Sequence, residues 1–249
     1  MQVAAPPRGG VPVRAAGVRQ VYRLDGVHAD VVALDDVDLD IDAGEAVALF
    51  GPSGSGKSTL TALLAGLRRP TGGEVWVGDA ELSAMTERDL LQLRGTQIGV
   101  VVQNPARSLL PYSTAEDNIR FAQHSAYRAN RAGLPDPGDL LGALGLGHLA
   151  GQRAGRLSGG EQQRLSVAVA MARLPRILLA DEPTSQLDAT NRDVVVELFS
   201  RVIGEFGATV VVVTHDPVVA DHMHRRVTLH DGRVVDDGRP HDVYDFTRP

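Results

Sequence analysis

An apolar run, Ala46-Val47-Ala48-Leu49-Phe50, leads straight into Gly51-Pro52-Ser53-Gly54-Ser55-Gly56-Lys57-Ser58-Thr59. No other stretch of the chain constrains its fold as strongly. The run reads as a buried strand, and Lys57 to Leu67 reads as a helix. Gly51, Gly54 and Gly56 let the joining turn point successive N–H groups inward on an anion, and the helix N-terminus adds its partial positive charge. Lys57 is also the only lysine in the chain; every other cationic side chain is arginine. A solvated surface accepts either cation, whereas a planar guanidinium is a poor substitute for a compact ammonium among phosphate oxygens in a tight turn. In such a loop the lysine reaches β- and γ-phosphates and the Ser58 hydroxyl is offered to a magnesium ion. The pattern predicts a nucleoside triphosphate site.

Composition narrows the remaining classes. A length of 249 residues permits one sizeable core and leaves no room for two fused catalytic modules. With no cysteine, disulfides, thiolate zinc sites and cysteine nucleophiles are excluded, which suits a reducing cytoplasm. A net charge of −6 without a long basic block argues against nucleic-acid wrapping. The apolar runs fall far short of the ~20 residues that cross a bilayer, so the chain is expected to be soluble, with membrane association only through a partner. Residues 1–17, rich in Ala, Pro, Gly and Arg with no apolar core, read as a loose tail.

Coarse organisation follows from periodicity. Val18 to Arg23 and the alternating Val37, Leu39 and Ile41 predict an antiparallel β layer. After the loop strand and its helix come a strand at Glu74 to Val77, a short helix around Glu87 to Leu93 and a strand at Ile98 to Val102. Strand signals then vanish. Ser113 and Glu116 have capping-box spacing before a helix of about three turns, and a Pro/Gly-rich connector leads to a helix at Leu140 to Leu149. The β/α alternation returns with strand Ile177 to Ala180, helix Thr190 to Phe206, strand Thr209 to Val213 and helix Pro217 to Met223, and a hairpin turns at Asp231-Gly232. The expected fold is α/β: a mostly parallel core built from 18–103 and 175–249, an N-terminal antiparallel layer and an inserted helical subdomain at 104–174, all one domain over 18–249.

Two further motifs carry chemistry. Ile177-Leu178-Leu179-Ala180-Asp181-Glu182 is an apolar strand ending in two carboxylates, of which Asp181 could hold magnesium through Ser58 or water and Glu182 could polarise an attacking water. Leu157-Ser158-Gly159-Gly160-Glu161 also has capping-box spacing, so it opens a second helix with glycine amides outward. Two glycines at a helix start cost roughly 1 kcal/mol each, hard to justify unless something must approach closely.

With Leu157 to Glu161 unbroken, the chain resembles the ATP-binding subunits of ABC transporters from about Val18 to Val235. The resemblance implies a head-to-tail homodimer in which Ser158, Gly159 and Gly160 of one subunit close over ATP held by the phosphate loop of the other. It implies that Gln103 senses magnesium and moves with the permease, that Asp188 belongs to the D-loop Ser185-Gln186-Leu187-Asp188, and that His215 is the switch histidine beside Glu182. Tyr22 resembles the aromatic that stacks on adenine, the competing reading being a strand tyrosine packed on its own sheet. His222 and His224 read as a solvated helix end, not a metal site. The expected cofactors are ATP and Mg2+, with Ser58, Gln103 and Asp181 as metal ligands and Lys57, Gln103, Glu182 and His215 as catalytic residues. The expected setting is the cytoplasmic face of the inner membrane, beside integral membrane permease subunits.

Other nucleotide folds fit less well. Guanine reading by Asn-Lys-x-Asp needs a second lysine, and a small-molecule kinase has no use for Leu157 to Glu161. A cytosolic ABC ATPase energising a soluble assembly scaffold remains the alternative, the surface from Gln103 to Tyr112 being where a permease would dock. The stretch Leu93 to Gln103 with Leu109-Leu110-Pro111 and Thr114 to Asn118 resembles the lipoprotein-release and macrolide-export class. It departs from that class at Asn104 to Ser108, where aromatics are commoner.

Overall fold

A computed structural model of the chain describes residues 9–23, 30–124, 133–185 and 187–238. Two sheets organise it. A four-stranded sheet has the order β2-β1-β4-β5, from β1 (Val13–Tyr22), β2 (Val31–Ile41), β4 (Gly72–Val77) and β5 (Ala80–Glu81), with antiparallel neighbours throughout. The six-stranded sheet has the order β10-β9-β3-β8-β7-β6. Its members are β3 (Ala46–Phe50), β6 (Ile98–Val101), β7 (Ile177–Asp181), β8 (Thr209–Val213), β9 (Arg225–His230) and β10 (Arg233–Gly238). All its neighbours run parallel except β10, which returns on β9 through the Asp231-Gly232 turn, both residues at positive φ.

The central strands β3, β7 and β8 are apolar over nearly their whole length because both faces are covered. Alternation along them divides the two cores. Ala46, Ala48, Leu178, Ala180, Val210 and Val212 join a cluster with Ile119, Leu141, Leu165, Met171 and Phe199 from helices α3 (Ala115–His124), α4 (Pro137–Ala143), α5 (Gly159–Met171) and α6 (Ala189–Phe206). Val47, Leu49, Ile177, Leu179, Val211 and Val213 face the other way. They meet the antiparallel sheet and Leu60, Leu63 and Leu64 of α1 (Lys57–Leu64). Helix α1 is therefore held between the two sheets, and the loop before it inherits that rigidity. Helices α2 (Glu87–Thr96) and α7 (Pro217–Asp221) complete the fold.

The expected α/β architecture holds, with the described part of 104–174 free of regular strands and joined to the core through α5. Four local expectations need correction. The chain is not loose as far as Gly17: β1 starts at Val13, and Val11, Val13 and Ala15 are buried. Arg176 donates to the Gly9 carbonyl at 3.1 Å and Thr209 Oγ1 to the Val11 carbonyl at 2.7 Å, so the segment is stitched across the strand starts. Its Gly and Pro content disguised a strand. The cap of α3 is Thr114, whose hydroxyl accepts from Asp117 N at 3.0 Å, not Ser113. The expected helix at Leu140 to Leu149 is instead α4 followed by a separate short turn at Gly147–Leu149. Finally, His224 is half-buried, its Nδ1 accepting from Ala46 N at 3.0 Å, and burial pushes its imidazole below the usual histidine value.

Candidate functional site

The loop between β3 and α1 takes the shape its glycines permit. Gly51, Gly54 and Gly56 have φ of 142°, 81° and 101°. A Cβ on Gly51 would stand 2.1 Å from the Leu229 carbonyl oxygen, and one on Gly56 2.5 Å from that of Ala33. No larger residue fits either position. Lys57, the first residue of α1, is buried to 9% exposure; its ammonium donates to the carbonyls of Gly51 at 2.8 Å and Pro52 at 2.7 Å, with Ser55 Oγ at 3.4 Å.

Beside the loop opens a cleft of about 260 Å³ lined by Ala33, Ser53, Gly54, Gly56, Lys57, Ser58, Thr59, Gln103, Asp181, Glu182 and Val213. Parallel pairing of β6 with β7 and of β7 with β8 brings the strand ends together here. Asp181 ends β7 and shares the cleft with Ser58. Burial holds the Asp181 carboxyl above the usual carboxylate range; the Ser58 hydroxyl opposes this, Glu182 adds to it and Lys57 again opposes it. Gln103, just past β6, reaches the same cleft, so three uncharged or anionic oxygen donors converge.

Glu182 has φ of 49°, a left-handed conformation that costs a non-glycine residue about 1–3 kcal/mol. Both its backbone polar groups are pinned: its N–H donates to Val213 O at 2.9 Å and its carbonyl accepts from Ser185 Oγ at 3.1 Å. The turn aims the side chain at His215, whose Nδ1 is 2.8 Å from Glu182 Oε1. An ionised Glu182 can only accept, which places the proton on Nδ1. Tyr22 closes β1 near α1, its hydroxyl 3.5 Å from Thr59 Oγ1, with the Arg68 guanidinium 5.3 Å from its ring centroid.

Ser158, Gly159, Gly160 and Asp188 do not line this cleft. Ser158 caps α5 in a complete capping box: its hydroxyl accepts from Glu161 N at 3.3 Å and its N–H donates to Glu161 Oε2 at 2.7 Å. That bond holds the Glu161 carboxyl below its ordinary value. Leu157 is buried while Ser158 and Gly159 are exposed, so the glycine amides are presented outward from an anchored base. Asp188 caps α6, accepting from Asn191 N at 2.9 Å and Asn191 Nδ2 at 2.8 Å. Gln186 lies outside the described residues.

Several participants left no mark in the sequence. Ala33 and Val213 line the cleft as ordinary strand residues. Asn191 also accepts from buried Arg164 on α5, and Arg192 reaches Asp216 Oδ2 at 3.4 Å, next to His215. Only the three-residue spacing of Asp188 and Asn191 hinted at a cap. Asn104, by contrast, explains a departure from the resembled class: its side chain accepts from Ala106 N at 3.1 Å and starts the short turn Pro105–Arg107, with Pro105 buried.

No helix among the described residues is long and apolar enough to cross a membrane. The family model described as ABC transporter matches residues 34–185. A lipoprotein-releasing system ATP-binding protein, LolD, of Anaeromyxobacter dehalogenans is 43% identical over 95% of this chain and 98% of its own length. The macrolide export ATP-binding/permease protein MacB of Rhodopirellula baltica is 41% identical over 91% of this chain, which spans 33% of that longer protein. A dimeric, post-hydrolysis structure of the ATP-binding cassette MJ0796 bound to ADP and Pi superposes with a TM-score of 0.83 at 33% identity, over 91% of this chain and 98% of that one. The likeness thus extends through both sheets and the helical insertion, and the chain belongs to the ABC transporter family as an ATP-binding, ATP-hydrolysing cassette.

Proposed function

We propose that two copies of the chain bind MgATP head to tail and that their closure drives a separate membrane permease. The observation that carries this reading is a separation: the phosphate loop, Asp181, Glu182 and Gln103 share one cleft, while the Ser158 amide cluster is exposed and does not line it. A second cradle of amides on the same chain is useful only to another copy's nucleotide. In that arrangement the β- and γ-phosphates lie on Gly51, Pro52, Ser53, Gly54, Ser55 and Gly56, with Lys57 and Thr59 completing the grip and Tyr22 against the adenine. The partner's α5 N-terminus adds donors at the γ-phosphate, where charge develops during transfer.

Ser58, Asp181 and Gln103 suit Mg2+, a hard cation that takes oxygen donors and neutralises charge on the phosphate oxygens. A half-buried carboxylate held above its ordinary pKa is a fitting place for that charge. Glu182 acts as general base toward the attacking water. With Nδ1–H bonded to Glu182, a neutral His215 has only a lone pair on Nε2, so contact with the γ-phosphate requires the imidazolium or a turn of the ring.

For coupling, Leu110, Tyr112 and Phe121 expose apolar surface along the stretch after Gln103, Tyr112 at 87%. Asn118 fixes this stretch, accepting from Leu110 N at 2.7 Å and donating to Leu110 O at 3.1 Å. An exposed apolar rim in the stretch that follows Gln103 supports docking of a permease segment at the cytoplasmic face of the inner membrane, in a lipoprotein-release or macrolide-export type of system. Size-exclusion chromatography of the Glu182→Gln protein with MgATP tests the first half: a dimer is expected, and a persistent monomer overturns the reading. Co-purification with an integral membrane partner in mild detergent tests the second, a soluble scaffold in its place being the contrary result.

A further inference from the structure

A side chain with no assigned role joins the two elements that face the partner subunit. Asn191, half-buried in the first turn of α6, donates from Nδ2 to Asp188 Oδ1 at 2.8 Å and accepts at Oδ1 from Arg164 Nη1. Arg164 is 8% exposed and stands on α5, the helix whose first residues carry Ser158 and Gly160. The orientation of the amide is fixed by chemistry: a guanidinium only donates and a carboxylate only accepts, so a flipped amide would be repelled at both ends.

The geometry points to Asn191 as a positioning residue that locks Asp188 and the Ser158 amide cluster into one rigid docking surface. This rests on the head-to-tail reading above. Two charged groups of opposite sign are joined here by a neutral amide, and a direct Arg164–Asp188 pair would draw Asp188 off its capping position over the α6 N-terminus. With the amide between them, Asp188 keeps its cap, Arg164 keeps a partner in a buried setting, and the exposed ends of α5 and α6 hold a constant spacing. Closure on a triphosphate then requires one rigid-body approach in place of two independently ordered loops, which lowers the ordering cost of association.

Dimerisation constants in the Glu182→Gln background, measured by analytical ultracentrifugation with saturating MgATP, decide the matter. Asn191→Ala, which removes both side-chain bonds to charged groups, and the isosteric Asn191→Asp, which removes the one to Asp188, are each expected to weaken the dimer about tenfold or more. Binding of a fluorescent ATP analogue to the single chain should stay within about twofold of the parent, since the phosphate loop is untouched. The aspartate variant separates positioning from a plain structural tie. It would form an ion pair with Arg164 and repel Asp188, so a residue that merely held α5 to α6 would be matched or improved by it. A dimer of Asn191→Asp as tight as the parent overturns the inference while leaving the head-to-tail reading intact. A Glu182→Gln parent that does not dimerise overturns both.

Discussion

His215 Nδ1 lies 2.8 Å from Glu182 Oε1, and Glu182 holds that place with a left-handed backbone at φ 49°. The strained turn and the bond to a largely exposed ring set the carboxylate at the mouth of the cleft. Replacing the carboxylate while keeping its shape isolates its role as base. Glu182→Gln should lose at least about 10²-fold in ATP turnover, a typical general-base contribution, while retaining nucleotide. Steady-state phosphate release checks it, and near-native turnover would refute the role.

Lys57 is nearly enclosed, with two loop carbonyls within 2.8 Å of its ammonium. Lys57→Arg preserves the charge but brings a wider, planar head that these carbonyls cannot accommodate. Nucleotide affinity measured by calorimetry should collapse; an unchanged affinity would show that charge alone matters there.

Asp181 gives a pH-dependent outcome. Its folded-state pKa is raised, chiefly by burial, so at neutral pH the ionised carboxylate costs the ligand-free fold stability, and that cost disappears as pH falls below the ordinary carboxylate range. Asp181→Asn should therefore raise the ligand-free melting temperature at neutral pH, with the gain shrinking in acid. The same variant should lose the extra thermal stabilisation that Mg2+ adds to ATP. A melting temperature lowered at neutral pH would contradict the burial argument.

Gln163, on the first half of α5, is fully buried, and neither amide atom has a hydrogen-bond partner among the described residues. Leaving such groups unsatisfied costs about 1–3 kcal/mol. Gln163→Met, similar in volume and apolar, should raise the melting temperature by several degrees. Thermal unfolding of the ligand-free chain checks this, and a lower value would mean that the amide contributes in the folded state.

The core of the site could be read from local signals because each depends on neighbours in sequence. Gly51 to Ser58 sits between a strand and a helix, Asp181 and Glu182 end an apolar run, and Ser158 and Glu161 cap the helix they start. What escaped was set by distant contacts. The strand at Val13 is stabilised by Arg176 and Thr209 from the far half of the chain, and its composition resembles a loop. Asn191 acquires meaning only when α5 and α6 pack together and bring Arg164 to it. The turn after Gln103 departs from the class pattern, and Asn104 and Pro105 build it by capping and burial.

In the proposed head-to-tail dimer the Ser158 cluster of one copy meets the phosphate loop of another. The chain has no cysteine, so introduced thiols report without background. Ser53, exposed on the loop, and Ser158 are suitable positions. Single-cysteine chains, Ser53→Cys and Ser158→Cys, each also carrying Glu182→Gln, are mixed and oxidised mildly with and without MgATP. A disulfide between unlike chains that forms only with MgATP is the expected result. Linkage of Ser158→Cys to its own kind, or no linkage between unlike chains when ATP is bound, would contradict the head-to-tail dimer.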